Sequence, residues 1–569
     1  MIPKMTSQNI TVRLATRSDR NQIYKIRYQV YAEELGQHQS NVFRKLQDNL
    51  DEFNEYVVVK YFDTVIGFVS ITPPNDTGYS IDKYVSRSEI PLSFHDALFE
   101  LRLLTVVEEW RHSIAILLLV YGTYKYLKLK NASEVIAIGR AEIMSLYEGL
   151  GFKTLGKRIL SGKVTYELMY IDDKSFEESA RRVLERYASE KYARVFDTLN
   201  VSQNHAYHGG QFFKAIGENF SSLEKAADII NADVLDAWFD PAPEVIQQIT
   251  RFLPWEIRTS PPTHCAGVLE EIASNRKLPQ ENIVLGAGSS DLMFRAIMHW
   301  VKKEHKVLIL DPMYGEYAHI LENIVGCEIR RFCLDESNAY QVSLNKLREK
   351  LHQGYDWLFI VNPNSPTGHL TDPTGLRELV RTIAPKTRVW IDETYIDYVD
   401  SSHSLERLAC QLDNLVICKS LSKAYALSGL RSAYLCSNSA LIRDVARVTP
   451  PWILSLPAQI GTVFALRNSD YYALRWKETN ELREGLKALL SQINIKVISG
   501  TANFLLCKLV GTDMTAKTFI AKCQEKSLFL RDVSSMGSRF DPYTFRISVK
   551  DISTNKRMAV IMSEVLQEL

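Results

Sequence analysis

Five short apolar runs in the C-terminal two thirds of the chain end in residues that could take part in chemistry. The runs are 283–285, 307–310, 357–361, 389–391 and 415–418. The residues that follow them are, in chain order, Ser289, Ser290, Tyr314, Asn364, Asp392, Tyr395, Ser420, Ser422, Lys423 and Arg431. Each one alone has an ordinary interpretation as a turn, a helix cap or a solvated charge. Together they bring an amine, a carboxylate, aromatic rings and several hydroxyls to successive strand ends.

These groups are the parts that a pyridoxal-phosphate (PLP) site requires. Lys423 supplies an amine that can form a Schiff base and can later move the proton at the substrate Cα. Asp392 can keep the pyridine nitrogen protonated, which makes the ring an electron sink. Tyr395 and Asn364 can hydrogen-bond the phenolic oxygen of the ring. Hydroxyls and a fork-shaped guanidinium suit the phosphate, and the residues concerned are Ser289, Ser290, Ser420, Ser422 and Arg431.

The spacing of the runs indicates the elements that must position these residues. From about residue 205 onward, short apolar runs alternate with segments that have apolar residues at helical spacing. Such alternation predicts a mainly parallel sheet with crossover helices. Ligands of these sheets bind at the carboxyl ends of the strands, which is where the polar residues stand.

Three motifs in this part of the chain carry a family resemblance. NPNSPTG (362–368), DETY (392–395) and SLSKAYALSGLR (420–431) resemble the signatures of fold-type-I PLP enzymes, above all histidinol-phosphate aminotransferases and threonine-phosphate decarboxylases. The resemblance runs from about residue 205 to the C-terminus. It implies that Lys423 is the Schiff-base lysine, Asp392 the pyridine partner and Tyr395 the phenolate partner, with Tyr314 stacked on the ring.

The same resemblance implies two anion-binding residues for the substrate and assembly as a homodimer. Arg546, within TFRIS (544–548), matches the family's arginine for the substrate carboxylate or phosphate. Arg531, within LRD (530–532), matches a second anion-binding position. Members of this fold type build their sites at a two-fold interface, so a homodimer is expected. The sequence His208-Gly209-Gly210 resembles the start of the decarboxylase branch.

The departures from the family pattern fall mainly on the substrate side. Ser365 stands before Pro366 where the family often has asparagine, so Asn364 is expected to take over the phenolate contact. No tyrosine precedes Pro261, although the family uses one to reach the partner's phosphate. The family's asparagine-rich loop is replaced by Asp236-Ala237-Trp238-Phe239-Asp240. Histidinol phosphate is therefore not the expected substrate.

The N-terminal block resembles a GNAT acyltransferase fold. Strand-like runs at 10–14, 56–61, 65–71, 101–107 and 135–138 are combined with an apolar helix after Arg111. The helix that contains Arg27-Tyr28-Gln29-Val30-Tyr31 is similar to that of acyl-homoserine-lactone synthases and N-acyl amino-acid synthases. Tyr147 matches the tyrosine that protonates the departing thiolate in many GNAT enzymes. An acyl-CoA or an acyl-carrier-protein thioester is the acyl donor that this resemblance implies.

One part of the GNAT pattern is missing. The pyrophosphate loop should contain two glycines, but Arg111-His112-Ser113-Ile114-Ala115-Ile116 has isoleucine at both positions. Backbone amides must face the pyrophosphate there, and branched side chains would crowd it. Two interpretations stay open: the acyl donor is held differently, for example on a carrier protein, or the domain is not catalytic.

These patterns predict an α/β protein with two domains. A GNAT-like α+β domain is expected at residues 1–172 and a helical linker at 173–204. A PLP-dependent transferase fold is expected at 205–569, with a large, mainly parallel sheet domain and a small α+β subdomain from about residue 445.

Composition excludes several other classes. With 68 basic and 67 acidic residues among 569, no nucleic-acid partner is expected. The longest apolar run, 114–121, is too short to span a bilayer, and the N-terminus lacks a signal-peptide core. None of the eight cysteines forms a Cys-x-x-Cys pair, so neither a metal site nor a disulfide framework is expected. A cytoplasmic protein is the prediction.

The leading hypothesis is a PLP-dependent aminotransferase that acts on a small amino acid or an amino-acid-derived amine. A carboxylate held in the ring plane by Arg546 favours cleavage of the Cα–H bond over decarboxylation. Decarboxylation, or another reaction at Cα or Cβ, is the alternative. The GNAT-like domain either acylates the amine that the PLP half makes or uses, which gives a bifunctional biosynthetic enzyme, or contributes no chemistry.

Overall fold

The structure, a computed structural model, describes residues 10–187 and 209–568, except 63, 76–77, 112, 162–163, 218–219, 221 and 535. Its chain divides into two compact units, 1–205 and 206–569. Residues 188–204 of the predicted linker, as well as His208, lie outside the described residues. The domain boundaries at 172 and 205 therefore stay predictions.

The N-terminal unit is built on one seven-stranded sheet with the order β1-β2-β3-β4-β5-β7-β6. Its strands are Ile10–Leu14 (β1), Glu55–Tyr61 (β2), Thr64–Thr72 (β3), Leu98–Val106 (β4), Glu134–Arg140 (β5), Lys153–Ser161 (β6) and Val164–Asp172 (β7). Its helices are Arg17–Arg27 (α1), Ala115–Leu129 (α2), Met144–Gly149 (α3) and Asp173–Tyr187 (α4), and a π-helical segment, Tyr28–Glu34, continues α1. Only the β4–β5 pair is parallel among the described pairs of this sheet.

A buried carboxylate connects the first elements of this unit. Asp19, in the first turn of α1, forms ion pairs with Arg13 of β1 at 2.7 Å and with Lys60 of β2 at 3.0 Å. The same side chain completes a capping box with Thr16, whose hydroxyl accepts from the Asp19 amide. Burial would raise the pKa of Asp19, but the two cations hold it well below its usual range. One short acidic side chain therefore sets where α1 begins and how it lies on the sheet.

The C-terminal unit contains a large sheet with the order β11-β10-β12-β13-β14-β15-β9. These strands are Ile283–Gly286 (β9), Lys306–Asp311 (β10), Glu328–Cys333 (β11), Trp357–Val361 (β12), Arg388–Asp392 (β13), Leu415–Ser420 (β14) and Ala433–Cys436 (β15); β8, Ile230–Asn231, precedes them. Strands β10 to β14 run parallel, while β15 is antiparallel to both β14 and β9. The predicted mainly parallel sheet is confirmed.

The central strands of the large sheet are mostly apolar and almost entirely buried. Every residue of β12 and β14 is buried, as a parallel sheet between two helical layers requires. The helices that precede or surround this sheet are Phe212–Ile216 (α5), Pro243–Arg258 (α6), Ala266–Arg276 (α7), Ser289–Leu292 (α8), Met298–Trp300 (α9), Gly315–His319 (α10), Leu344–Leu351 (α11), Pro373–Thr382 (α12), Glu406–Ala409 (α13), Leu421–Ala424 (α14), Ser439–Ala446 (α15) and Leu456–Arg467 (α16). π-helical segments lie at Met293–Ile297 and Ile320–Val325.

A smaller antiparallel sheet follows, with the order β16-β17-β20-β19. Its strands are Ile495–Ile498 (β16), Phe504–Leu509 (β17), Arg531–Asp532 (β19) and Thr544–Ser548 (β20), while Leu528–Phe529 (β18) pairs with β8. Its helices are Ser469–Ser491 (α17), Ala516–Glu525 (α18) and Ile552–Gln567 (α19). Among the helices that the structure describes, none is both long and apolar enough to cross a membrane.

Candidate active site

Two antiparallel pairings, β14 with β15 and β15 with β9, bring the predicted phosphate ligands to one edge of the large sheet. Ser420 at the end of β14 is opposite Ala433 of β15, and Ala433 is opposite Gly286 of β9. Arg431 stands two residues before Ala433, with its guanidinium so close to Gly288 that a Cβ atom there would collide with it. The Gly-Ser segment after β9 and the guanidinium after β14 are therefore neighbours.

The hydroxyls at this edge have hydrogen-bonding capacity to spare. Ser289 and Ser290 begin a continuous helical stretch, 289–300, so their amides point outward from its first turn. Ser420 caps α14 by accepting from the Ser422 amide at 3.3 Å. The buried Ser422 hydroxyl has no hydrogen-bond partner among the described residues. Buried hydroxyls normally have a partner, and a phosphate oxygen would supply one.

Lys423 lies in α14 with its amine directed at an aspartate. Its Nζ is 2.9 Å from Asp236 Oδ1 and 3.5 Å from the Ser428 hydroxyl. Burial would raise the pKa of Asp236, but the nearby Lys423 ammonium keeps it below its ordinary value. The predicted Schiff-base lysine thus faces a carboxylate, and that carboxylate stands where the family's asparagine-rich loop was expected.

Asp392 ends β13 in the middle of the sheet, between Val361 of β12 and Cys418 of β14. Its Oδ2 accepts from the Tyr317 hydroxyl at 2.8 Å, and its Oδ1 accepts from the Thr394 amide and hydroxyl at 3.0 and 2.6 Å. Burial raises the pKa of Asp392 in spite of these bonds. A protonated ring nitrogen would supply the positive charge that this carboxylate lacks.

Two tyrosines at the strand ends keep their protons. Burial raises the pKa of Tyr395 and of Tyr314 well above the ordinary tyrosine value. The ring of Tyr395 meets Phe504 edge-on, with 5.2 Å between centroids. Both hydroxyls are therefore protonated at neutral pH.

The asparagine turn differs from the expectation at Asn364. Its Nδ2 donates to the Pro312 carbonyl at 3.0 Å and to the Thr367 hydroxyl at 3.2 Å, so both of its N–H groups are used within the fold. Only the buried Oδ1, which cannot donate, has no partner. The neighbouring Ser365 hydroxyl accepts from Arg546 Nη1 at 3.2 Å and keeps its own hydrogen to donate. Ser365 therefore has a hydrogen left to donate, whereas both Asn364 N–H groups are used.

The two predicted anion-binding arginines are adjacent but differently paired. Arg531 and Arg546 are directly opposite on β19 and β20. Arg546 is buried; its Nη2 donates to the Asp233 carbonyl at 3.2 Å, and its Nε has no hydrogen-bond partner among the described residues. Burial, together with the charge of Arg531, lowers the pKa of Arg546 to about 10. Arg531 lies 3.4 Å from the Asp233 carboxylate, whose pKa burial raises against the pull of Arg531.

In the N-terminal unit, Tyr147 lies against the end of β5. A Cβ atom at Gly139 would meet the Tyr147 ring at 2.5 Å, so the glycine makes room for it. Burial raises the pKa of Tyr147, which keeps the hydroxyl protonated. Strands β4 and β5 pair only over Leu98–Leu101 and Glu134–Ala137, although both continue further, so they part beside this tyrosine.

At Ile114, the loop before α2 does not have the side-chain orientation that was predicted to crowd a pyrophosphate. Ile114 is buried in the core of the unit, and Ile116 packs against the same core. Ile114 therefore points away from the loop surface. Arg111 forms an ion pair with Glu34 and donates from Nε to the Val106 carbonyl at 3.2 Å.

The fold and the site together define a PLP-dependent enzyme. Comparisons with known proteins identify the family: a model of aminotransferase class I and II matches residues 231–561, and a model of the acetyltransferase (GNAT) domain matches residues 26–121. The chain belongs to the aminotransferase class I and II family. It is a PLP-dependent aminotransferase with an N-terminal GNAT domain, and the predicted fold class is confirmed.

Individual relatives and solved structures are similar to a large part of this chain. A histidinol-phosphate aminotransferase of Methanococcus maripaludis is 28% identical over 302 residues, which are 53% of this chain and 80% of the relative. The crystal structure of histidinol-phosphate aminotransferase from Sinorhizobium meliloti in complex with pyridoxal-5'-phosphate is similar with a TM-score of 0.54 and 16% identity, over 60% of this chain and 93% of that one. L-threonine-O-3-phosphate decarboxylase from Porphyromonas gingivalis has a TM-score of 0.51 and 20% identity, over 60% of this chain and all of that one.

Several residues at the site were not predicted from the sequence. Tyr317 is hydrogen-bonded between Asp392 and the Trp390 indole, which donates to it at 2.9 Å. The sequence did contain one signal for Tyr317: it follows Tyr314 by three residues, the spacing that places two side chains on the same face of a helix. Asp233 and Ser365 had no such signal, because only the packed structure shows their partners.

We expect Tyr317→Phe to slow the half-reaction with an amino acid by about tenfold. Loss of the hydroxyl removes a bond to the charged form of Asp392, which raises the pKa of that carboxylate, and one unit corresponds to about 1.4 kcal/mol. The measurement is the rate at which the donor changes the absorbance of the bound cofactor.

Tyr434→Phe is the matched control, because the Tyr434 hydroxyl also donates to a buried carboxylate, Glu406, at 2.6 Å. It should leave this rate within a factor of about two. Equal losses in both variants would show that Tyr317 has no specific effect on the site.

Proposed function

We propose that this enzyme transfers the amino group of a small amino acid, or of an amine derived from one. Arg546 carries the proposal: it is a buried arginine that has a donor to spare and forms no ion pair with a carboxylate among the described residues. Asp233 contacts Arg546, and Asp236, three residues further on, contacts Lys423. The predicted carboxylate-binding group and the predicted catalytic amine therefore belong to one site.

The residues present fit the cofactor. Asp392 would hold the ring nitrogen, with Tyr395 and Ser365 at the phenolic oxygen and Tyr314 against the ring. Ser289, Ser290, Ser420, Ser422 and Arg431 would hold the phosphate. When bound, PLP supplies an aldehyde that condenses with amines and an electron-withdrawing ring.

In the proposed mechanism, Arg546 binds and orients the substrate, and Lys423 transfers the proton. Arg546 binds the carboxylate with its fork of N–H donors and fixes the orientation of the bonds at Cα. Lys423 Nζ takes the proton from the substrate Cα and later returns one. Asp236 lies 2.9 Å from the same amine and stabilises its protonated form. The Lys423 side chain is 19% exposed and so is largely shielded from water.

We expect the purified protein to be yellow and Lys423→Ala to lack the visible absorbance band of the Schiff base. The substitution removes the only group that the proposal assigns to that linkage. Lys550→Ala is the control, because the half-buried Lys550 is another lysine under the electrostatic influence of Asp236. A yellow Lys423→Ala protein, or a colourless Lys550→Ala protein, would overturn the assignment.

With a panel of amino acids and a second keto acid as the amino-group acceptor, we expect each substrate to be converted to its own keto acid without release of carbon dioxide, because the acceptor takes the amino group that the substrate loses. A carboxylate bound by Arg546 would be kept from leaving, which would direct cleavage to the Cα–H bond. The measurement combines keto-acid detection with carbon dioxide release from carboxyl-labelled substrate. Carbon dioxide in amounts equal to the amine product would instead identify a decarboxylase.

We further propose that the GNAT domain acylates the amine that the PLP half makes or uses. Tyr147 is half-buried, stays protonated because burial raises its pKa, and lies where β4 and β5 part. A thiolate leaving group needs such a proton donor. The donor would be an acyl-CoA or an acyl-carrier-protein thioester, and a homodimer and a cytoplasmic location stay predictions.

We expect Tyr147→Phe to abolish most acyl-CoA turnover, with a loss of about 100-fold, as is typical for removal of a general acid. Keto-acid formation by the same preparation is the internal control and should not change. If neither acyl-CoA nor an acyl carrier protein binds the unmodified protein, the domain has no acyltransferase function.

A further inference from the structure

Two buried cations face each other in the substrate half of the site. Arg531 and Arg546 are paired across β19 and β20, and their residues are 1% and 5% exposed. Directly opposite residues of an antiparallel pair have neighbouring side chains on one face. Like charges at such a distance repel, and their repulsion is weakly screened when they are buried. This pair of arginines therefore requires negative charge beside it.

Asp233 already supplies one negative charge. Its carboxylate is buried, and Oδ1 lies 3.4 Å from Arg531 Nη1. Its Oδ2 accepts from the Gly210 amide at 2.8 Å. A Cβ atom at Gly209 would lie 2.6 Å from Asp233 Oδ1, and the φ of +89° at Gly209 also favours glycine. The backbone at 209–210 is therefore fitted closely around this carboxylate, and Asp233 is held in place.

A second carboxylate on the same segment makes the pocket more negative. Asp236, three residues after Asp233, lies 2.9 Å from Lys423 Nζ. Arg546, by contrast, forms no ion pair with a carboxylate among the described residues, and its Nε has no hydrogen-bond partner there. The arrangement has space for one further negative charge, next to Arg546.

We propose that Asp233 determines specificity by occupying the anion position at Arg531, so that the arginine pair accepts a carboxylate and excludes a phosphate ester. A carboxylate carries one negative charge, which Arg546 matches. A phosphate monoester carries about 1.5 to 2 at neutral pH, and the excess would lie against Asp233. The inference rests on the proposed function, because it takes Arg546 as the residue that binds the substrate. It assigns to Arg531 a structural ion pair in place of the predicted second substrate contact.

The test compares two matched ligands on the full-length holoenzyme. The first is the amino acid that most strongly shifts the absorbance of the bound cofactor, and the second is the phosphate ester of the amino alcohol with the same side chain. Dissociation constants are measured from the absorbance shift. We expect the unmodified protein to bind the amino acid at least about tenfold more tightly, and Asp233→Asn to improve binding of the phosphate ester by about tenfold. Affinity for the amino acid should change by less than about threefold.

Two controls locate the effect. Asp236→Asn removes a carboxylate from the same segment that contacts Lys423 and not Arg531, so it should not improve binding of the phosphate ester. Adding Arg531→Gln to Asp233→Asn should abolish the improvement, because the freed guanidinium is what would bind the phosphate.

The outcomes separate this proposal from the proposed function. If no amino acid shifts the absorbance of the unmodified protein, the proposed function fails. If amino acids bind but the unmodified protein binds the phosphate ester equally well, the role of Asp233 is refuted whether or not Asp233→Asn folds. Equal affinities of Asp233→Asn and the unmodified protein for the phosphate ester would also refute it.

Discussion

The burial of Asp392 at the end of a central strand is the constraint on which the rest of the PLP site depends. A carboxylate removed from water is destabilised by several kcal/mol unless it gains hydrogen bonds or a cation. Tyr317 and Thr394 supply hydrogen bonds, yet the pKa of Asp392 is still raised by burial. Lys419 compensates only in part, because its Nζ is shared by three other carboxylates at 3.7–3.9 Å. A protonated ring nitrogen is therefore the group that completes this position.

The segment 232–236 connects the cofactor half of the site with the substrate half. Ser548, at the end of β20, donates from its amide to the Ala232 carbonyl at 3.0 Å, so the segment runs beside the strand that carries Arg546. Asp233 then contacts both arginines, and Asp236 contacts Lys423. The orientation of a substrate between Lys423 and Arg546 is consequently set by a segment with two acidic side chains. Of these two residues, only Asp236 lies in the stretch 236–240, where the family resemblance predicted an asparagine-rich loop.

The cofactor half could be predicted from the sequence because its residues follow buried parallel strands. Those strands are mostly apolar, so the polar residues at or just after the end of each mark the carboxyl edge of the sheet. The predicted bounds of β12 agree with the structure, and those of β13 and β14 are extended by one or two residues. Strand β11 was not predicted, because it has no continuous apolar run. It mixes charged and apolar residues and is partly exposed at the edge of the sheet.

The substrate half could not be predicted in the same way, since its important contacts join residues that are distant in sequence. Asp233 and Arg531 are separated by 298 positions, and Ser365 and Arg546 by 181. The sequence indicated two arginines but not the carboxylate that neutralises one of them. At Asn364, the residue type was right for a phenolate donor, but both N–H groups are used to hold the turn. The type of a residue indicates which groups it can bind, whereas packing determines which of its donors and acceptors are still unpaired.

The same distinction applies to the GNAT domain. Isoleucine at a glycine position was expected to crowd a pyrophosphate, but this holds only if the side chain faces the ligand, and Ile114 packs into the core. Arg111 is paired with Glu34 in a partly exposed ion pair, and such pairs contribute about 1 kcal/mol or less. An incoming anion could therefore displace Glu34 at small cost. As placed, neither Ile114 nor Arg111 excludes an acyl donor. The two interpretations of this domain therefore depend on whether a thioester binds beside Tyr147, where β4 and β5 part.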